Sequence, residues 1–130
     1  GPLVAFSALR STIYVIYLEA DATAIGTIGI IMGWWNALNG PFVARLSDAG
    51  SINRCMPCFA NWGRRAPWLL LGTPIVILGT TLMWLPPAYD RTTLAAWYAF
   101  CYFLVINGGT ANLQSFLAGI AELEGTGDAR

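Results

Sequence analysis

The chain contains no histidine and no lysine, and only 11% of its 130 residues are charged. Soluble domains carry about 25%. Without histidine there is no Ser/His/Asp or Cys/His set for nucleophilic catalysis and no imidazole to complete a zinc site. Cysteine is scarce: Cys55, Cys58 and Cys101 are the three. Cys55 and Cys58 make a lone C-x-x-C, short of the ligands of a structural zinc site, and Cys101 lies far away in an apolar run. Net charge is zero, so composition gives no argument for a nucleic-acid partner. The glycine-rich stretches lack the lysine of a phosphate-binding loop. Enzyme chemistry is therefore not expected, and neither is a metal or cofactor.

What the chain has in quantity is apolar surface. Apolar residues make up 56%, with six Trp, five Tyr and six Phe. A soluble fold of this size has to cover itself with polar residues, and few are present; a bilayer removes that need. The charges also cluster. Residues 22–44, 66–89 and 92–121 contain none, and a run of about 18 or more such residues reads as a membrane span. The expected fold is all-α: one polytopic transmembrane helical bundle over 1–130, with four spans at approximately 3–19, 24–45, 67–87 and 93–121. Arginine counts set orientation. The 46–66 loop carries Arg54, Arg64 and Arg65, with Arg45 at its edge and Asp48 as its one acid, whereas the 19–23 turn carries Glu19 and Asp21 and no base. The loop and both termini are thereby placed on the cytoplasmic-equivalent side of an integral, multi-pass protein.

Each expected span has its own marks. In the first, Arg10 sits at a depth where a charge costs about 2.5–3.5 kcal/mol. Two readings stand: a substrate or anion contact facing the interior, or a span that begins later and leaves Arg10 near the interface. In the second, Gly26, Gly29, Gly33, Asn36 and Gly40 recur at three- and four-residue steps and share one face. Gly29 and Gly33 form a small-xxx-small pair, so with Gly40 they are expected to pack against another helix. Pro41 frees the Ala37 carbonyl and is expected to kink this helix. The third has Pro67 in its first turn, Trp68 and Trp84 as interfacial anchors and Pro86-Pro87 at its end. The fourth is polar in the middle, from Asn107 to Gln114. There Asn107 and Gln114 share a face, and Gly108 and Asn112 share a neighbouring one. Unpaired amides in hydrocarbon are costly, so this patch faces other helices or a cavity. Asn36, Asn39, Asn107, Asn112, Gln114 and Arg10 are the candidate lining residues for a solute or cation.

The connection between the second and third spans carries a resemblance. It reads Trp35-Asn36-Ala37-Leu38-Asn39-Gly40-Pro41, then Leu46-Ser47-Asp48, then Trp62-Gly63-Arg64-Arg65-Ala66-Pro67-Trp68-Leu69-Leu70. This is similar to the helix 2 to helix 3 connection of the glycoside–pentoside–hexuronide:cation symporters of the major facilitator superfamily. Their pattern is W-D-A-x-N-D-P, then S-D, then R-x-G-R-R-x-P-W. The segment Leu117-Ala118-Gly119-Ile120-Ala121-Glu122-Leu123, with Asp128 and Arg130, is similar to the family's exit from helix 4. The resemblance implies the first four helices of a transporter for sugar-like solutes, coupled to sodium or protons, whose two halves rock about a midplane site. It also implies that Asp48, Arg64 and Arg65 latch the cytoplasmic side and that the second span lines a cation site.

Three departures qualify the family pattern. Asn36 and Gly40 stand where it has acids, and neither can take up a proton. Residues 49–62 separate Asp48 from Gly63, a longer loop than the pattern has. Four spans complete neither six-helix half of such a transporter, and the chain does not begin with Met. The expectation is a fragment or relict of a larger transporter fold, in contact with membrane lipids and other transmembrane helices. The alternative is a transporter-derived accessory or structural subunit of a respiratory or photosynthetic complex, with pigment or lipid contacts and no transport.

Overall fold

A computed structural model describes residues 8–50, 65–87 and 90–127. Helices account for nearly all of them, and no strand occurs among the described residues. Helix α1 is α-helical over 8–12 and continues as a π-helical segment, Ile13–Tyr17. Helix α2 is Ala22–Asp48, α3 is Ala66–Met83 and α4 is Arg91–Gly127.

Helix α4 is the hub. At about 100° per residue its side chains divide into faces. Cys101, Leu104, Val105, Gly108 and Asn112 meet α3. Phe103, Asn107, Thr110 and Gln114 meet α2. Tyr98 and Tyr102 meet α1. An apolar core of Tyr14, Ala20, Ile25, Met83, Leu94, Tyr98 and Cys101 gathers at the end of the bundle away from the 49–64 connection.

Local chemistry sets the boundaries, and they differ from the expected ones. Asp21 caps α2 by accepting the Thr23 amide at 2.9 Å, so the helix starts before residue 24. It passes through Pro41 unbroken and reaches Asp48, where Gly50 at φ 63° takes the left-handed turn that ends many helices. Helix α3 stops at Met83, short of 87. The reason lies in the two prolines. The carbonyls of Leu82 and Met83 would normally accept from residues 86 and 87, and both are prolines without an N–H. The Leu85 amide reaches Leu82 O at 3.1 Å, and side chains from elsewhere serve both carbonyls as well. Trp97 Nε1 donates to Leu82 O at 2.8 Å, and the Tyr14 hydroxyl donates to Met83 O at 2.5 Å. Tyr14→Phe is therefore expected to cost about 1–3 kcal/mol, the penalty for a buried acceptor left alone. Chemical unfolding of the purified protein measures it; an unchanged midpoint would remove the hydroxyl from the helix-ending account.

Helices α3 and α4, as Ala66–Met83 and Arg91–Ala121, are long and apolar enough to cross a membrane. Helix α2 has the length, 27 residues, or about 40 Å at 1.5 Å per residue. Its glycines, asparagines and threonines dilute the apolarity expected of a span at 24–45. The described part of α1 is too short for the same test. All four helices expose large apolar side chains outward, Tyr17, Trp34, Leu38, Ile77 and Phe116 among them. Surfaces of that kind mark contact with lipid or other proteins.

Candidate functional site

A line of polar side chains runs between α2 and α4. Asn39 Nδ2 donates to Asn107 Oδ1 at 3.1 Å, and Trp35 Nε1 reaches the same oxygen at 3.4 Å. Asn107 uses its own amide N–H on Phe103 O at 2.7 Å. The Thr110 hydroxyl donates to Asn36 Oδ1 at 2.9 Å. Trp35 and Phe103 lie with ring centroids 5.7 Å apart at the edge of this line. Asn39 and Thr110 are buried, whereas Trp35 and Asn36 stay exposed. The seam is thus closed on one edge and open on the other. Further along, a Cβ added to Gly40 would meet Gln114 Nε2 at 3.4 Å, so the missing side chain leaves room for an amide. No group in this line titrates near neutral pH.

Of the candidate lining residues, Asn36, Asn39, Asn107 and Gln114 come together on the α2–α4 side. Asn112 does not. It faces α3, where its Nδ2 donates to Thr73 Oγ1 at 3.3 Å and its Oδ1 is buried without a partner. Sequence reasoning passed over Trp35 and Thr110. Trp35 lies four residues before Asn39, and Thr110 three after Asn107, so helical spacing marked both as neighbours.

Of the three glycines expected to pack, Gly40 approaches α4, while Gly29 and Gly33 meet no described helix. Among the described residues nothing lies within 4 Å of a Cβ placed on Gly29 or Gly33. The close approach is at Gly72, Gly79 and Gly108, between α3 and α4. A Cβ on Gly108 would sit 2.8 Å from Gly72 O, and one on Gly79 would sit 3.1 Å from Cys101 O. Backbone meets backbone there, as in other small-residue membrane helix contacts.

Arg10 is buried, 6% exposed, in a stretch that is helical from the first described residue. Its guanidinium carbon lies 3.8 Å over the Tyr102 ring centroid and 5.3 Å from that of Tyr98. Tyr98 in turn meets Tyr14 edge-on at 4.9 Å. At the other end of the bundle Arg65, at the N-cap of α3, pairs with Asp48 at 3.2 Å and so ties the two ends of the loop. Arg64, Cys55 and Cys58 lie outside the described residues. Cys101 is buried and free.

The MFS/sugar transport protein family matches residues 4–118. An uncharacterized symporter of Synechocystis sp. is 29% identical over 112 residues, covering 82% of this chain and 19% of the relative. The sodium-dependent lysophosphatidylcholine symporter 1 of Xenopus tropicalis is 27% identical over 70 residues, 54% of this chain and 12% of the relative. The chain therefore spans about a fifth or less of the length of these curated relatives. No solved structure matches it significantly.

Proposed function

The chain belongs to the MFS/sugar transport protein family, and from that premise we propose that it supplies the first four spans of a secondary transporter carrying a sugar-like solute by alternating access. It is a transporter-related integral membrane protein, and its relatives are symporters rather than enzymes. The observation that carries the mechanism is the α2–α4 seam: amides and a hydroxyl buried on one edge and open at Trp35 and Asn36 on the other. Polar groups at membrane depth face protein or a watery path. Bonds between helices in a membrane average about 0.6 kcal/mol. Bonds that weak can be exchanged for a sugar's hydroxyls at little cost as the helices shift.

The seam also bears on coupling. Asn36, Gly40 and Gln114 cannot carry a proton. Any cation held there is held by amide oxygens, which suits sodium, the ion in the name of the Xenopus relative. The test is uptake of labelled sugars by the whole gene product in sealed vesicles, under a sodium gradient and under a proton gradient. Saturable, sodium-driven uptake is expected. No uptake of any sugar under either gradient overturns the reading.

The arginine-rich 46–66 loop and both termini are assigned to the cytoplasmic side. We assign Asp48, Arg64 and Arg65 the role of a latch there, and the pair of Asp48 with Arg65 supports it. Asp48 is 61% exposed in its side chain, and exposed pairs are worth about 0–1 kcal/mol. The latch therefore shifts a balance without holding the fold. Asp48→Arg is expected to change the initial uptake rate by up to about fivefold, and adding Arg65→Asp is expected to restore it. An unchanged rate in Asp48→Arg would remove the latch role.

A further inference from the structure

Arg10 is the buried charge that the α2–α4 seam leaves unused. Tyr98 and Tyr102 lie about 10 and 16 Å along α4 from Arg91, at 1.5 Å per residue. That places the guanidinium about two to three turns inside the end of α4, a helix long and apolar enough to cross a membrane. A charge at that depth needs compensation. The two rings attract it through their faces but offer no carboxylate. Among the described residues no acid lies within ion-pair distance of Arg10, and its Nε, buried, has no hydrogen-bond partner. Arg10 also lines an open cavity of about 460 Å³ between α1, α2 and α4. That volume lies in the usual range for small-molecule sites, about 300–1,000 Å³.

We propose that Arg10 is an oxyanion site, which binds a carboxylate or phosphate carried by the solute in this cavity. The guanidinium has five N–H donors in a planar fork that matches an oxyanion two bonds at a time. The Tyr102 ring holds it in place through its face and the Tyr98 hydroxyl takes one of those donors, which leaves others, the Nε N–H among them, for a ligand. Thr12, on the same wall, gives its proton to Ala8 O at 2.8 Å, so its oxygen is an acceptor suited to a hydroxyl on the solute. The α2 wall is formed in part by Gly26 and Gly29. Nothing described lies within 4 Å of a Cβ on either, so the absent side chains are what keep the space open. The role of the bound group as cargo rests on the transporter reading; its charge rests on Arg10 alone.

The test is equilibrium binding to the whole gene product in lipid nanodiscs. The probes are glucuronate, glucose 6-phosphate and lysophosphatidate, each beside an uncharged counterpart, glucose for the first two and monoacylglycerol for the third. At least one anion is expected to bind about 30-fold or more tighter than its counterpart, the scale of one buried charge pair. The soluble and lipid arms tell which source of oxyanion fits. Arg10→Gln is expected to abolish the preference and Arg10→Lys to keep part of it. Gly29→Leu fills open space, so it is expected to weaken the same anion without lowering the unfolding temperature. If Arg10→Gln does not fold, Arg10→Lys and Gly29→Leu decide. Equal binding of anion and counterpart, no binding of any anion, or a preference that survives Arg10→Gln overturns the proposal. Uptake separates the two readings. Anion binding without transport sinks the transporter and leaves the site. Neutral-sugar uptake with no preference for any of the anions sinks the site and leaves the transporter.

Discussion

Gly108→Ala is expected to lower stability by about 1–3 kcal/mol, and Gly108→Val by more. The added Cβ would meet Gly72 O at 2.8 Å, Val76 Cγ2 at 2.9 Å and Val76 N at 3.1 Å. Two of the three obstacles are backbone atoms of α3 and cannot swing away, so the helices must separate. Separation also loosens Gly79 against Leu104 and Val105, because all lie on one seam. Gly72→Ala is expected to behave alike: its Cβ would press on Asn112 Oδ1 and on Gly108 O. The control is Gly29→Ala, where space is open. Alanine is the better helix former by about 0.5–1 kcal/mol, so that change is expected to be neutral or stabilising. The two glycines thus predict opposite signs in one unfolding assay of the purified protein. Equal effects at Gly108 and Gly29 would refute the α3–α4 seam.

Asn107→Leu is expected to cost about 1–3 kcal/mol and to reduce uptake at least tenfold. Asn107 Oδ1 accepts from both Asn39 and Trp35, so its loss strands two donors. In membranes such bonds average about 0.6 kcal/mol and reach about 1.7, while orphaned buried groups cost about 1–3. Removing the principal partner as well should recover part of the stability, because a matched apolar pair strands fewer groups. The double variant Asn39→Leu/Asn107→Leu is therefore expected to be more stable than Asn107→Leu yet equally poor in uptake. Uptake that recovers together with stability would reduce the seam to packing and take the solute elsewhere.

Much of the fold was legible because membrane helices announce themselves. The charge-free stretches at 66–89 and 92–121 became α3 and α4, and the Trp35 to Pro41 and Gly63 to Trp68 strings marked the family before any geometry was known. The shared face of Asn107 and Gln114 followed from helical spacing, and both turn toward α2. Glycine was where spacing misled. Gly29 and Gly33 show the same three- and four-residue pattern as a packing stripe, but no described helix covers them. Gly72, Gly79 and Gly108, on two different helices, make the contact. A glycine permits close approach; a neighbour has to arrive to use it.

The ends of the helices show the same division. Pro86 and Pro87 made it certain from sequence that α3 stops and that two carbonyls lose their usual donors. That Trp97 and Tyr14 supply the replacements is a fact of tertiary structure. The same holds for Arg10, whose charge was visible at once and whose cover by Tyr98 and Tyr102 was not. The physical reason is common to all three. A helix satisfies its own backbone, so solvent, span and approximate ends follow from local chemistry. The rotation of each helix and the choice of neighbour do not, because in lipid no hydrophobic drive between helices sets them. They rest on a few close contacts and side-chain bonds between residues far apart in the chain.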